Sequence, residues 1–177
     1  MILGKLSDWP SAKKTKWLLI ISIILIVIVY PFMAYFTMAS KYPVDFMTSQ
    51  LSFSSATLKA HYAVTVIDFY RVTQSLDYIF MLGYGMLAFS LGLIIGRKFE
   101  EDSKWRTSGY IISIFGIIAA SCDAIENGFI LAMLTDPFGF PDIWAVTHSV
   151  FALIKYILLI SCIGWAIVAS VLRIIKK

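Results

Sequence analysis

Four stretches of this chain are apolar for the length of a membrane-crossing helix, which is about 20 residues. They run from Trp17 to about Met38, from about Asp77 to Gly96, from about Thr107 to Leu134, and from about Trp144 to Leu172. The last two exceed the minimum, so tilt or protrusion beyond the hydrocarbon is expected. Between the first and second stretches, residues 39–76 mix Phe46, Leu51, Phe53, Leu58, Tyr62, Val66, Phe69 and Tyr70 with polar positions. No Gly or Ser run marks that segment as a flexible linker. It is expected to form short amphipathic helices at the interface, capping the outer end of the spans. The connection 135–143 carries Asp136, Pro137, Gly139 and Pro141, the residues of a turn between antiparallel helices. The pattern predicts an all-α fold: a four-helix antiparallel transmembrane bundle, one integral membrane domain over residues 1–177.

Composition sharpens this. Only 15% of the 177 residues are charged, 59% are hydrophobic, and the mean hydropathy is +0.82. A soluble domain carries about 25% charged residues. The chain leaves no room for a separate soluble domain. The first apolar run follows Lys13, Lys14 and Lys16 but is too long for the core of a cleaved signal, so it reads as a retained anchor.

The cations gather on one side. Lys5, Lys13, Lys14 and Lys16 precede the first span. Arg97, Lys98, Lys104 and Arg106 lie between the second and third, and Arg173, Lys176 and Lys177 follow the fourth. The opposite side has Lys41, Lys59 and Arg71. The positive-inside rule places both termini and the 97–106 loop in the cytoplasm, with the chain in the cell membrane. Trp17, Tyr42, Trp105 and Trp144 fall near span ends, where aromatic residues anchor at the interface. The net charge of +4 suits lipid phosphates rather than nucleic acid, since it borders apolar runs.

Ionisable groups inside spans cost about 2.5–3.5 kcal/mol each on insertion scales, so each calls for a reason. The third span holds Asp123, Glu126 and Asn127 at i, i+3 and i+4, on one helical face. The second opens with Asp77, and Tyr84 follows two turns along the same face. The fourth carries His148 and Lys155, also on one face, in a stripe that Ala152 and Cys162 extend.

Counting from the basic anchors at about 1.5 Å per residue puts Asp123 at roughly 26 Å, Lys155 at about 27 Å, and Glu126 and Asp77 at about 30 Å. Three helices thus deliver charge to one level in the outer part of the membrane, with His148 further out, at the mouth. Three carboxylates face Lys155 and, when protonated, His148. A proton, a bound cation or a cationic ligand group would complete that set. The plainer alternative is that the cluster only holds the bundle together, with Lys155 bridging Asp123 or Glu126.

Other features are simpler. Gly85, Gly92 and Gly96 on the second span, and Gly109, Gly116, Ala119 and Ala120 on the third, suit close helix approach. Pro31 suggests a kink, His61 a solvated or interfacial loop residue, and 97–102 a solvated loop with a basic start. Cys122 and Cys162 lie in apolar runs and form no CxxC pair. Haem would want facing histidines, and only His148 lies in a span. Zinc ligation by His148, Asp77 and Glu126 lacks a motif, and no phosphate-binding loop, HExxH or GxSxG occurs, so no metal or cofactor is expected.

The order Asp77-x-x-Phe80-x-x-x-Tyr84, then Asp123-x-x-Glu126-Asn127, then Lys155 after a Pro-containing turn, resembles a family of prokaryotic four-helix integral membrane proteins. The resemblance covers about residues 45–160. It implies the four-span bundle and the importance of these positions, and no particular activity.

Three functions fit the sequence. One is a binding or transport module whose outer-facing pocket of Asp77, Tyr84, Asp123, Glu126, Asn127, His148 and Lys155 holds a lipid head group, small polar molecule or ion. Another is an accessory subunit packed against larger membrane proteins, or a homo-oligomer, surrounded by membrane lipids. The third is a lipid-modifying enzyme with a carboxylate base and Lys155 or His148 as electrostatic partner.

Overall fold

The computed structural model describes residues 2–175. Lys176 and Lys177, two of the cations used for orientation, lie outside the described residues. Among the described residues seven helices follow one another: α1 (Ile2–Lys5), α2 (Ala12–Ser40), α3 (Phe46–Gln50), α4 (Ser55–Ala63), α5 (Ile67–Gly96), α6 (Lys104–Met133) and α7 (Asp142–Ile175). Among the described residues there is no strand. The long helices α2, α5, α6 and α7 are each long and apolar enough to cross a membrane, making this an integral membrane protein with a four-helix bundle.

Local chemistry sets the helix starts. Side chains of Ser11, Asp45, Ser54 and Ser103 accept hydrogen bonds from the backbone N–H of Lys14, Thr48, Thr57 and Trp105, satisfying donors that the first turn leaves free. α2 ends where Lys41 turns left-handed, at φ 55°, and returns its N–H to the Met38 carbonyl. The helix runs unbroken through Pro31.

One boundary differs clearly from the sequence expectation. The second long helix starts at Ile67, so the stretch leading to Asp77 is helix rather than connection. Its polar residues broke the apolar run, yet Thr73 and Gln74 are buried and Tyr70 joins a core. A helix whose first turns are covered by protein need not be apolar there.

Neighbours pack in chain order. α2 lies mainly on α5, α5 on α6, and α6 on α7, while α5 and α7 touch only lightly. This leaves a seam between α5 and α7 with α6 as its floor. The short helices α3 and α4 close one end of the bundle by packing on α7. Leu58 and Tyr62 of α4 meet Tyr70, Ile130, Met133, Leu134, Phe140 and Ala145 there, forming the largest apolar core. Tyr42, just past the end of α2, stacks on Tyr70 at 4.3 Å and also meets His61. Burial pushes the Tyr42 phenol up and the His61 imidazole down from their ordinary pKa values. His61, half-buried, leans on the cap through Tyr42.

At the opposite end, which carries both termini, Arg97 donates to the Leu6 carbonyl at 2.7 and 3.0 Å and to Thr15 Oγ1 at 3.2 Å. The sequence places it at the basic start of a solvated loop. It is in fact a clasp on the N-terminal segment.

The α5–α6 approach depends on missing side chains. A β-carbon on Gly109 would stand 2.7 Å from the Gly96 Cα and 2.9 Å from the Gly92 carbonyl oxygen, both backbone atoms that cannot swing away. Gly109→Leu should therefore destabilise the bundle by about 1–3 kcal/mol or more. Gly164→Leu is the control, because nothing lies within 4 Å of its β-carbon position. Thermal melts in detergent should show a clear fall for the first and little change for the second.

Candidate functional site

Lys155 lies on α7 with 4% of its surface exposed, facing α6. Its ammonium is 2.8 Å from Asp123 Oδ1 and 2.7 Å from Glu126 Oε2. A single lysine thus pairs with two carboxylates one helical turn apart, and both are buried. The sequence suggested that it would bridge one or the other. It bridges both.

Further groups surround this triad. Tyr84, on α5, donates its phenol hydrogen to Asp123 Oδ2 at 2.6 Å. Gln50, on α3, accepts from the Lys155 ammonium at 3.2 Å and from the Tyr156 hydroxyl. The Lys155 ammonium also stands 4.9 Å from the centre of the Tyr156 ring, a cation–π contact. α3 is held by its Asp45 cap, which accepts from the Thr48 N–H at 2.9 Å and the Thr48 hydroxyl at 2.6 Å. So an exposed cap positions a buried amide.

Asp77 sits beside this core. It is only partly buried, and its Oδ2 accepts from Asn127 Nδ2 at 2.8 Å. The same amide donates to the Gln74 carbonyl at 3.2 Å, which fixes the way the Asn127 side chain is turned. The other amide oxygen, Asn127 Oδ1, is buried without a hydrogen-bond partner. Both oxygens of Glu126 also lack a well-directed hydrogen bond, although Oε2 is at ion-pair distance from Lys155.

His148 requires a correction. Expected at the mouth of an outer-facing pocket, it is 1% exposed. Its Nε2 is 3.6 Å from Glu126 Oε1, and its Nδ1 is 3.4 Å from Ser149 Oγ. The reason is the cap: the Phe53 N–H, between α3 and α4, donates to Ser149 Oγ at 3.1 Å and roofs this part of α7. Phe53 adopts φ 51° to do so.

All seven positions singled out in the sequence therefore lie in two adjoining networks. One contains Lys155, Asp123, Glu126, Tyr84 and His148. The other joins Asp77 to Asn127. Sequence reasoning missed Gln50, Gln74, Ser149 and Tyr156. Ser149 and Tyr156 neighbour flagged residues on α7, a signal that could have been used. Gln50 had none, because its place depends on how the 41–66 connection folds back.

Chemically, the site offers carboxylate, amide and phenol oxygens around one ammonium. Lys155 already fills the space between Asp123 and Glu126 where a metal ion would sit. Neither a family model, nor a curated protein, nor a solved structure matches this chain. The resemblance carried by the Asp77-to-Lys155 motifs adds nothing to that chemistry.

Lys155→Met should leave two buried carboxylates without their cation and destabilise the fold by about 3–5 kcal/mol. Adding Asp123→Asn and Glu126→Gln should recover much of the loss. Unfolding midpoints in mixed micelles would check both, and an unaltered single variant would refute the triad.

The α3 cap makes a separate, pH-dependent forecast. Hydrogen bonds from the Thr48 side chain and backbone hold the Asp45 carboxyl below its ordinary value of 3.8. Its contribution is therefore present throughout neutral pH and fades only as pH falls below 3.8 toward the lowered value. A nitroxide at Met47 should stay immobile down to that range, whereas Asp45→Ala should free it at neutral pH.

Proposed function

We propose that this protein is a four-span membrane binding module whose buried acidic cluster takes up a proton or the ammonium group of a small amine. One observation carries the reading: Asp123 and Glu126 pair with Lys155, Asp77 stands beside them on Asn127, and among the described residues Lys155 is the one permanent cation in contact with the set. Fully ionised, the set holds a surplus of negative charge. His148 can offset part of it only by taking up a proton itself. Uncompensated charge in a dry interior costs several kcal/mol per ion, so a cationic guest is the natural complement.

The kind of guest follows from the donor set. Carboxylates, the Gln50 amide oxygen and the Tyr156 ring already hold one ammonium, that of Lys155. The unpartnered Asn127 Oδ1 and the partly open Asp77 are acceptors of the same kind. Cation clustering around the termini and the 97–106 loop supports a cytoplasmic placement of that end. The cluster would then lie in the outer half of the cell membrane, beneath the α3–α4 cap.

A second reading has its own observation. The Lys155 triad ties α6 to α7, and such a fastener is all that an accessory subunit of a larger membrane complex would need. Asp77 separates the two, since it belongs to the charge surplus but not to the fastener.

In wild-type protein, methylammonium chloride should raise the melting temperature above that in equimolar sodium chloride, as should mild acid. At a hundredfold excess over its dissociation constant, a ligand adds about 2.7 kcal/mol. Asp77→Asn should raise the melting temperature in ligand-free buffer and blunt both responses. If wild type and Asp77→Asn respond alike across these buffers, the binding reading fails and the fastening one stands.

A further inference from the structure

The light contact between α5 and α7 leaves a cleft of ≈ 290 Å³ that is apolar along its length. Ala88 and Leu91 form one wall, Ile163, Ala166 and Ile167 the other, and Ile112 of α6 the floor. Tyr84 closes the cleft at the end nearest the charged cluster. One turn further toward the termini, the same two helix faces enclose a second hollow of ≈ 220 Å³. Ile95, Lys98, Ser170 and Arg173 line that one. The seam therefore runs from a hydroxyl and two cations at the helix ends, through hydrocarbon, to a phenol in the interior.

We infer that this seam binds one anionic phospholipid, with its phosphate at Lys98, Ser170 and Arg173 and an acyl chain laid along the cleft toward Tyr84. Length supports it. Twelve residues of α5 separate Tyr84 from Gly96, about 18 Å at the helical rise, and Lys98 follows in the turn just beyond. A single leaflet of hydrocarbon is about 15 Å deep, so a chain entering from the head-group level reaches well into the cleft.

Charge supports it as well. Other arginines at this end are engaged: Arg97 with Leu6 and Thr15, and Arg106 with Tyr110 and Glu101. Among the described residues, Lys98 and Arg173 are in no ion pair, and they flank the hollow, Lys98 from the turn after α5 and Arg173 from α7. A diester phosphate would sit between them as their counter-charge. A zwitterionic head group brings the same phosphate together with an ammonium that the two cations repel, so a head group of net negative charge is preferred.

The site shares no residue with the acidic cluster except Tyr84 at its closed end, so the two readings fail separately. The test uses the full chain in nanodiscs of mixed phosphatidylglycerol and phosphatidylcholine, extracted gently and weighed by native mass spectrometry. Wild-type protein should retain phosphatidylglycerol in preference to phosphatidylcholine. Lys98→Gln with Arg173→Gln should cut that retention about tenfold and abolish the preference. Ala166→Phe, which fills the cleft but keeps both cations, should also lower retention. Lys13→Gln with Lys14→Gln, on the first turn of α2, should change nothing, and melting temperatures confirm that each variant is folded. Undiminished phosphatidylglycerol on the Lys98 and Arg173 variant, or on folded Ala166→Phe, overturns the assignment.

Discussion

A charged lysine buried between two carboxylates is the interaction around which this bundle is arranged. Within a membrane none of these groups has water to fall back on, so each must find its counterpart inside the protein. Lys155 meets Asp123 and Glu126 only if α6 and α7 hold one rotation and one register. Tyr84 then adds α5 to the same arrangement, and Gln50 adds the cap. Apolar packing between membrane helices has little preference for one register over another, because lipid tails compete for the same contacts. The polar contacts supply that preference.

The tight and loose contacts of the bundle follow from the size of the side chains. Small residues on α5 and α6 let their backbones close together, with Gly92, Gly96 and Gly109 at the nearest approach. α7 brings the bulkier Leu159, Ile163 and Ile167 to its side of the seam with α5, and it is held to the bundle chiefly through α6. A cleft between α5 and α7 results. Its closed end touches the charged cluster through Tyr84, and its open end lies among basic side chains. In this way one seam runs in a single line from basic side chains through apolar ones to the buried charge.

The cap is where reading the chain residue by residue ran short. Aromatic residues in the connection suggested interfacial helices, and α3 and α4 do form there. Yet Tyr42 stacks on Tyr70, and Gln50 reaches Lys155, because the connection folds over the end of α7. The same folding buries His148, which a count along α7 alone placed at an opening. Such contacts join residues as far apart as Phe53 and Ser149, and no local periodicity encodes them.

Hydropathy, helical spacing and depth counting were enough to establish four long helices and to bring Asp77, Asp123, Glu126 and Lys155 to one level. These are properties of single helices in a medium of known thickness, so each can be evaluated before any partner is known. Tertiary structure alone decided that Lys155 serves two acids at once, that Asn127 turns to Asp77, and that Gln50 completes the shell. It also decided that α5 and α7 stand apart. Each of these depends on the rotation of one helix about its axis relative to another, and that rotation is set by the contacts of the whole bundle.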